Sequence, residues 1–204
     1  MRAKHQVYCL THEPMSLGRL SRVGHATTTR KNRERGMSTK EHKSKAPKNL
    51  KIGILSVSTT RTLKEDKSGH WIAKQARKEG HTVVSHVVVP DQTYAISSAL
   101  RASMETCAPH AVLVTGGTGI SEKDVTIEAV KPLLDKELTA FAALFAQLSY
   151  EEIDSAALMS RAAAGVVGKT AVFCMPGSLK ACKLACKALI FPELGHIVKH
   201  VYSG

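Results

Sequence analysis

The segment Ala111-Val-Leu-Val-Thr-Gly-Gly-Thr-Gly-Ile-Ser-Glu-Lys-Asp-Val-Thr126 joins a short apolar run to a glycine cluster and then to a helical pattern. Residues 111–114 are all apolar, and a run of this length and β-branched content predicts a strand buried on both faces. The cluster Gly116-Gly117-Thr118-Gly119 follows directly. A strand, a glycine loop and a helix in this order bring backbone N–H groups up to a phosphate. The segment therefore predicts a phosphate-binding loop, with a plain turn as the alternative.

The glycine cluster matches neither of the two common nucleotide motifs. No Gly-Lys-Ser/Thr follows it, which excludes a Walker loop, and the Gly-x-Gly-x-x-Gly spacing of dinucleotide-binding proteins is absent from it. Asp124 and Thr126 stand where the next helix is predicted to begin, either as helix caps or as ligands. Any reaction has to be inferred from the other loops that reach the same edge of the fold.

Strands and helices alternate along the rest of the chain. Strands are predicted to begin near residues 51, 82 and 111, each pair separated by one helix, and residues 170–175 predict a further strand. Repeated β-α-β units at this spacing indicate an α/β protein with a parallel sheet and helices on both faces. Helices are predicted over residues 69–79, 94–106, 127–134, 138–148, 179–191 and 194–201, and no element is assigned within 150–164.

Loops at the carboxyl ends of parallel strands meet at one edge of a sheet, where open α/β folds bind their ligands. Carboxylates beside an anion-binding loop make sense if a divalent cation such as Mg²⁺ bridges them to phosphates. Each one alone is also consistent with a turn or cap residue. The four predicted loops are 59–68, 90–93, 116–126 and 176–178, and three of them carry Asp66, Asp91 and Asp124.

The formal charge of +12 is concentrated at the front of the chain. Residues 1–50 contain 12 Lys and Arg against 3 Asp and Glu, whereas residues 51–204 contain 17 against 14. We expect residues 1–48 to be a basic, disordered extension and residues 49–204 to be a single domain. The alternatives for this extension are a nucleic-acid or membrane-surface arm, an Arg-rich targeting peptide or, if translation starts at Met37, a short solvated leader.

Cysteine usage and hydropathy favour a cytoplasmic protein. Five cysteines with no Cys-x-x-Cys pair indicate neither a disulfide framework nor a zinc ribbon. No apolar run approaches the roughly 20 residues of a membrane span. Nucleic acid is not expected as the main partner, because the domain itself is nearly neutral and the basic segment lacks interleaved aromatic residues.

Four short motifs carry a family resemblance. They are Thr-Gly-Gly-Thr-Gly-Ile-Ser-Glu-Lys-Asp-Val-Thr at 115–126, Pro90-Asp91, Leu158-Met159-Ser160-Arg161-Ala162 and Met175-Pro176-Gly177-Ser178. Together they closely resemble the molybdenum cofactor biosynthesis proteins of the MoaB/MogA group, the molybdopterin adenylyltransferase family. The similarity extends over about residues 51–200, nearly the whole domain.

This resemblance implies a three-layer α/β/α fold, similar to other molybdopterin-binding domains, with a mostly parallel sheet. It implies an enzyme that uses Mg²⁺ to transfer AMP from ATP to the terminal phosphate of molybdopterin, with release of pyrophosphate. Asp91 and Asp124 match the family's catalytic aspartates, placed at Mg²⁺ and the nucleotide phosphates. The other matches are Thr115, Gly116, Gly117, Thr118 and Gly119 at the nucleotide phosphates, Ser160 at the pterin phosphate, and Pro176, Gly177 and Ser178 at the pterin side.

The resemblance also implies partners. The family assembles as homotrimers or homohexamers, and its product accepts molybdate or tungstate, so a downstream metal-insertion protein is an expected partner. Two alternatives stay open at this point: a non-catalytic molybdopterin binder or scaffold of the same fold, and a nucleic-acid-associated protein acting through residues 1–50.

Overall fold

The computed structural model describes Pro47 and residues 49–203. The predictions for the basic extension and for a start at Met37 therefore fall outside the described residues, apart from Pro47. Within the described part of the chain, no helix is long and apolar enough to cross a membrane.

A single sheet forms the middle of the described domain. Its strands are β1 (Lys51–Val57), β2 (Thr82–Val89), β3 (Ala111–Thr115), β4 (Lys136–Glu137), β5 (Ala163–Val167) and β6 (Thr170–Met175). They are arranged in the order β2-β1-β3-β6-β5-β4. The first four in that order run parallel, while β5 is antiparallel to β6 and β4 is antiparallel to β5. The sheet is mostly parallel, as predicted.

Helices cover both faces of the sheet. They are α1 (Lys67–Lys78), α2 (Thr93–Cys107), α3 (Thr126–Val130), α4 (Thr139–Ile153), α5 (Leu179–Leu184) and α6 (Phe191–Tyr202). The core on one face contains side chains from α2 and α3. The core on the other face contains side chains from α1, α4, α5 and α6. The three-layer α/β/α prediction is confirmed.

The central strands supply both cores because alternate side chains point to opposite faces of a strand. Leu113 of β3 belongs to the core beside α1, whereas its neighbours Val112 and Val114 belong to the core beside α2. Every residue of β3 and β6 is buried. Apart from Thr115 and Thr170 at their ends, both strands are apolar, which is the pattern that made them predictable.

The structure adds most to the sequence prediction in and around residues 150–164, where no element was assigned. Helix α4 extends to Ile153, a 3₁₀ turn covers Asp154–Met159, and β5 then pairs with β6 through a tight connection at Gly168, whose φ is 57°. Strand β4 can approach β5 because Gly165 has no side chain, since a Cβ there would lie 2.4 Å from the Lys136 carbonyl oxygen. Alanine-rich sequence carries no strand signal of its own, so only pairing reveals β5.

The helical predictions differ from the structure at two other places. The predicted helix over 127–134 is one short helix, α3, followed by a 3₁₀ turn at Lys131–Leu133. The last two predicted helices form one continuous helical run, because a π-helical segment at Ala185–Ile190 joins α5 to α6. Neither difference moves the carboxyl ends of the parallel strands, which meet at one edge as predicted.

Candidate active site at the carboxyl edge of the sheet

The glycine loop turns sharply at the end of β3, beside the end of β1. Gly116 and Gly117 adopt positive φ values of 99° and 62°. A Cβ at Gly116 would lie 2.3 Å from the Val57 carbonyl oxygen, and one at Gly117 would lie 2.5 Å from Thr126 Oγ1. Both positions therefore require glycine, for the backbone conformation and for the close packing of the loop.

Three hydrogen bonds close this loop over the start of α3. The Gly116 N–H donates to the Met175 carbonyl oxygen at 3.1 Å, and the Thr126 N–H donates to that of Gly117 at 2.9 Å. The buried Thr126 hydroxyl donates to the Gly116 carbonyl oxygen at 2.7 Å. Thr126 is not the cap of α3, because Val125 holds that position. Its side chain fastens the loop.

Thr118 Oγ1 is the one buried side-chain nitrogen or oxygen atom in the described residues that lacks a hydrogen-bond partner. An unpaired buried polar group costs about 1–3 kcal/mol, so each such group calls for an explanation. This hydroxyl belongs to the predicted phosphate loop. A phosphate oxygen that entered the loop would accept its hydrogen bond.

Asp124 is held in a turn with its carboxylate ionised. Its Oδ2 accepts hydrogen bonds from the Ser121 hydroxyl at 2.6 Å and from the Ser121 N–H at 3.0 Å. The same oxygen lies 2.8 Å from the position that a Cβ on Gly119 would occupy. The Ser121 hydroxyl bond lowers the pKa of Asp124 below its ordinary value of 3.8, against the opposing effect of partial burial. The carboxylate therefore carries its charge beside the glycine loop at neutral pH.

Asp91 follows Pro90 at the end of β2 and lies beside the other end of the same loop. Its Oδ2 accepts the Thr59 hydroxyl at 2.7 Å, and its own N–H donates back to Thr59 Oγ1 at 3.2 Å. Its Oδ1 lies 3.1 Å from the position of a Cβ on Gly117. Asp91 and Asp124 therefore stand at the two ends of the tripeptide 117–119.

These two carboxylates fit a divalent cation that arrives with phosphates. Mg²⁺ in phosphate sites uses one or two carboxylates and takes its other ligands from phosphate oxygens and water. No group of three or more metal-ligating side chains occurs among the residues that the structure describes. The pair therefore suits a nucleotide-bound Mg²⁺ better than a permanent metal centre.

Asp66, the third aspartate of the converging loops, is committed to the protein itself. Its side chain caps α1 by accepting from the Gly69 N–H at 2.9 Å, and it also binds the Ser56 hydroxyl and His86 Nε2, at 2.5 and 2.8 Å. Burial alone would raise the pKa of Asp66, but the bonds from His86, Ser56 and Gly69 lower it to about 2. Of the three loop aspartates, only Asp91 and Asp124 therefore stay candidates for a ligand.

The Pro176-Gly177-Ser178 turn packs directly against the glycine loop. A Cβ at Gly177 would lie 3.1 Å from the Gly116 Cα atom. The hydroxyl of Thr115, predicted to bind phosphate, donates instead to the Pro176 carbonyl oxygen at 3.1 Å and is buried. Ser178 caps α5 by accepting from the Ala181 N–H at 3.2 Å. Thr115 is therefore a link between the two loops, and the turn forms one wall of the site.

Arg161 ties the segment after α4 to the glycine loop. Its Nε donates to the carbonyl oxygens of Thr118 and Gly119, at 3.1 and 2.9 Å, and its Nη2 donates to the Asp124 carbonyl oxygen at 3.0 Å. The Glu128 carboxylate holds the other side of the guanidinium, with Nη1 at 2.5 Å from Oε1. The sequence motif contained Arg161, but only its neighbour Ser160 was assigned a role. No pattern in the sequence showed that Arg161 would meet three loop carbonyls.

The structure thus brings most of the predicted site residues to one edge. The glycine loop, Asp91 and Asp124 adjoin each other, and the Pro176–Ser178 turn lies against the loop. Ser160 ends the 3₁₀ turn that follows α4, half-buried, and reaches the loop through Arg161. The site therefore combines a glycine-rich loop with two carboxylates that the protein leaves partly exposed.

A family model described as "Probable molybdopterin binding domain" matches residues 53–196. Among curated proteins, molybdenum cofactor biosynthesis protein B of Bacillus cereus is 47% identical over 162 residues, covering 79% of this chain and 96% of that protein. The protein of the same name from Escherichia coli K12 is 44% identical over 144 residues, covering 71% and 85%.

Solved structures of proteins with related names have a similar fold. A crystal structure of molybdenum cofactor biosynthesis protein B aligns with a TM-score of 0.75 at 44% identity, covering 78% of this chain and 99% of that one. The Pyrococcus furiosus protein MoaB, described as synthesizing tungsten cofactor, aligns with a TM-score of 0.68 at 39% identity, covering 76% and 99%.

Proposed function

The chain belongs to the molybdopterin-binding domain family of molybdenum cofactor biosynthesis, and from this membership and the site geometry we propose that it is a molybdopterin adenylyltransferase. In this reaction an oxygen of the terminal phosphate of molybdopterin attacks the α-phosphorus of ATP. The bond from that phosphorus to the bridging oxygen breaks, and pyrophosphate leaves. The product is adenylyl-molybdopterin, ready to receive molybdate or tungstate from a metal-insertion partner.

This chemistry makes modest demands on the protein. Adenylyl transfer needs two phosphates held in line and their charge neutralised, with no covalent intermediate on the enzyme. Backbone N–H groups of 117–119 and the Thr118 hydroxyl would bind phosphate oxygens, while the Gly116 N–H stays bound to Met175 and Gly116 shapes the turn. Asp91 and Asp124 would hold Mg²⁺, which neutralises phosphate charge when bound. Ser160 would bind the terminal phosphate of molybdopterin, and the Pro176–Ser178 turn would bind its pterin side.

One observation carries the proposal: two carboxylates stand at the ends of a glycine loop that contains an unpaired buried hydroxyl. Carboxylates so close to a phosphate loop would repel phosphate unless a cation joined them. A protein that only held a phosphate would do better with basic or neutral side chains at these positions.

We extend the proposal to a homotrimer or homohexamer. Helix α4 and the 3₁₀ turn after it expose several large apolar side chains, which a second copy of the chain would cover. Leu158 is 86% exposed, Tyr150 60% and Leu144 48%. This face leads directly to Ser160, so assembly would enclose the pterin side of the site.

The test is pyrophosphate release from Mg-ATP, with and without molybdopterin, for the wild type and Asp124→Asn. We expect molybdopterin-dependent turnover that falls at least 100-fold in the variant, because the amide cannot supply a charged metal ligand. Glu105→Gln, an exposed change on α2, is the matched control and should keep full activity. If the wild type binds molybdopterin yet releases no pyrophosphate, the non-catalytic binder is the correct assignment.

A further inference from the structure

Arg161 is a cationic side chain that donates hydrogen bonds to the glycine loop. An arginine at such a place would ordinarily be assigned to phosphate binding. Its contacts point elsewhere. A guanidinium has five N–H donors, and here Nε, Nη1 and Nη2 all donate to groups of the protein. Its charge is also matched, because the Glu128 carboxylate binds Nη1 and Nη2 at 2.5 and 3.3 Å.

The acceptors of these bonds lie near both ends of the loop formed by residues 116–126. The carbonyl oxygens of Thr118 and Gly119 belong to its start, and that of Asp124 belongs to its end. Between them, the loop makes local turn bonds between Ser121 and Asp124, and Thr126 binds back to the carbonyl oxygens of Gly116 and Gly117. Arg161 therefore adds, from outside the loop, a second link between its start and its end.

Arg161 also directly follows Ser160 in the chain. The proposed function places Ser160 at the acceptor phosphate and Asp124 at the nucleotide phosphates. The two residues come from distant parts of the sequence, and the guanidinium of Arg161 joins their backbones.

We propose that Arg161 is a positioning residue that holds Ser160 and Asp124 at the separation needed for in-line transfer, and that it does not bind substrate phosphate. This inference rests on the proposed adenylyltransferase function. Since a misplacement of about 1 Å between reacting groups can cost about 100-fold in rate, Arg161 acts mainly on turnover. The binding of each substrate alone depends on it much less.

Arg161→Lys and Arg161→Gln separate the two roles. A lysine keeps the positive charge but offers a single ammonium, which cannot reach three carbonyls and a carboxylate together. If geometry matters, both variants lose about 100-fold in kcat, while the Kd for Mg-ATP alone and for molybdopterin alone changes less than threefold. Arg101→Gln, an exposed arginine on α2, is the control and leaves all three quantities unchanged.

Amide hydrogen–deuterium exchange gives a readout that needs no catalysis. We expect faster exchange in peptides covering 116–128 for both Arg161 variants, and unchanged exchange in the strands of the sheet. Glu128→Gln, at an exposed position, removes the charge that holds the guanidinium and should accelerate exchange in the same peptides to a smaller extent.

Three results would overturn the inference. They are wild-type turnover in Arg161→Lys, a loss of molybdopterin affinity in Arg161→Gln as large as the loss of kcat/KM, and unchanged exchange over 116–128. If the wild type shows no turnover but both variants exchange faster over 116–128, Arg161 positions the loop and the adenylyltransferase proposal fails.

Discussion

Gly117 meets two requirements at once, a left-handed backbone and a space too small for a methyl group. Gly168 meets only the first, with a φ of 57° and no atom within 4 Å of where a Cβ would be. The two residues therefore form a natural pair for separating backbone strain from crowding.

We predict that Gly168→Ala lowers the free energy of unfolding by about 1–2 kcal/mol, the cost of a left-handed non-glycine residue. Gly117→Ala should cost about 1–3 kcal/mol more, because its methyl group would push against Thr126 and Asp91. Urea unfolding of both variants measures the difference. Equal losses would mean that the loop yields easily and that its shape is not set by packing.

The lowered pKa of Asp66 predicts how the free energy of unfolding changes at acid pH. Its pKa is about 2 in the folded protein and 3.8 ordinarily, so the folded state favours the charged form. The charged Asp66 carboxylate therefore stabilises the fold at pH values above its pKa in the unfolded chain. This contribution is lost as the pH falls from about 4 toward 2. The contribution is on the order of 2 kcal/mol at neutral pH.

We therefore expect Asp66→Asn to be destabilised at pH 7 and to show a flatter fall of unfolding free energy below pH 4 than the wild type. Urea unfolding at several pH values tests this, with the exposed Asp154→Asn as the control. Parallel pH profiles for the wild type and Asp66→Asn would show that His86 and Ser56 do not hold the charge as described.

Among the elements, α5 begins at a residue with two candidate roles. Ser178 accepts the Ala181 N–H at the helix start and is also proposed to bind the pterin. Removing a serine cap costs about 0.5–2 kcal/mol, whatever its part in substrate binding.

We predict that Ser178→Ala loses about 1 kcal/mol of stability and that Ser178→Asn, which supplies an alternative cap, regains most of it. Thermal unfolding and molybdopterin affinity should be measured on the same samples. If Ser178→Asn restores stability but not affinity, the hydroxyl contacts the ligand. Restoration of both would confine Ser178 to capping.

At the scale of the whole molecule, the exposed apolar face of α4 and the following turn leads to the assembly prediction. Leu144→Glu and Leu158→Glu would place a charge against the same face of neighbouring copies. We expect each to weaken self-association at least tenfold, since an unpaired charge is costly in an apolar interface. Analytical ultracentrifugation measures this, with the exposed Tyr94→Glu on α2 as the control. A wild type that sediments as a monomer would remove the assembly proposal.

The α/β fold and the location of the site were predictable from local sequence. The strands at 51–57, 111–115 and 170–175 are predominantly apolar because they are buried on both faces. Parallel strands necessarily end at a common edge. The turn at the start of the glycine loop was predictable because Gly116 and Gly117 adopt positive φ values that glycine tolerates best. These features depend on residues that are close together in the chain.

Only the tertiary structure decided the remaining features of the site and the sheet, because these features depend on residues that are far apart in the sequence. The sequence gives no sign that distinguishes Asp66 from Asp91 and Asp124. Only the fold shows that Asp66 is bound by His86 and Ser56, whereas the other two carboxylates lie beside the glycine loop. Strand β5 exists because it pairs with β6. The role of Arg161 follows from three carbonyls about 40 residues away, whose positions no local pattern encodes.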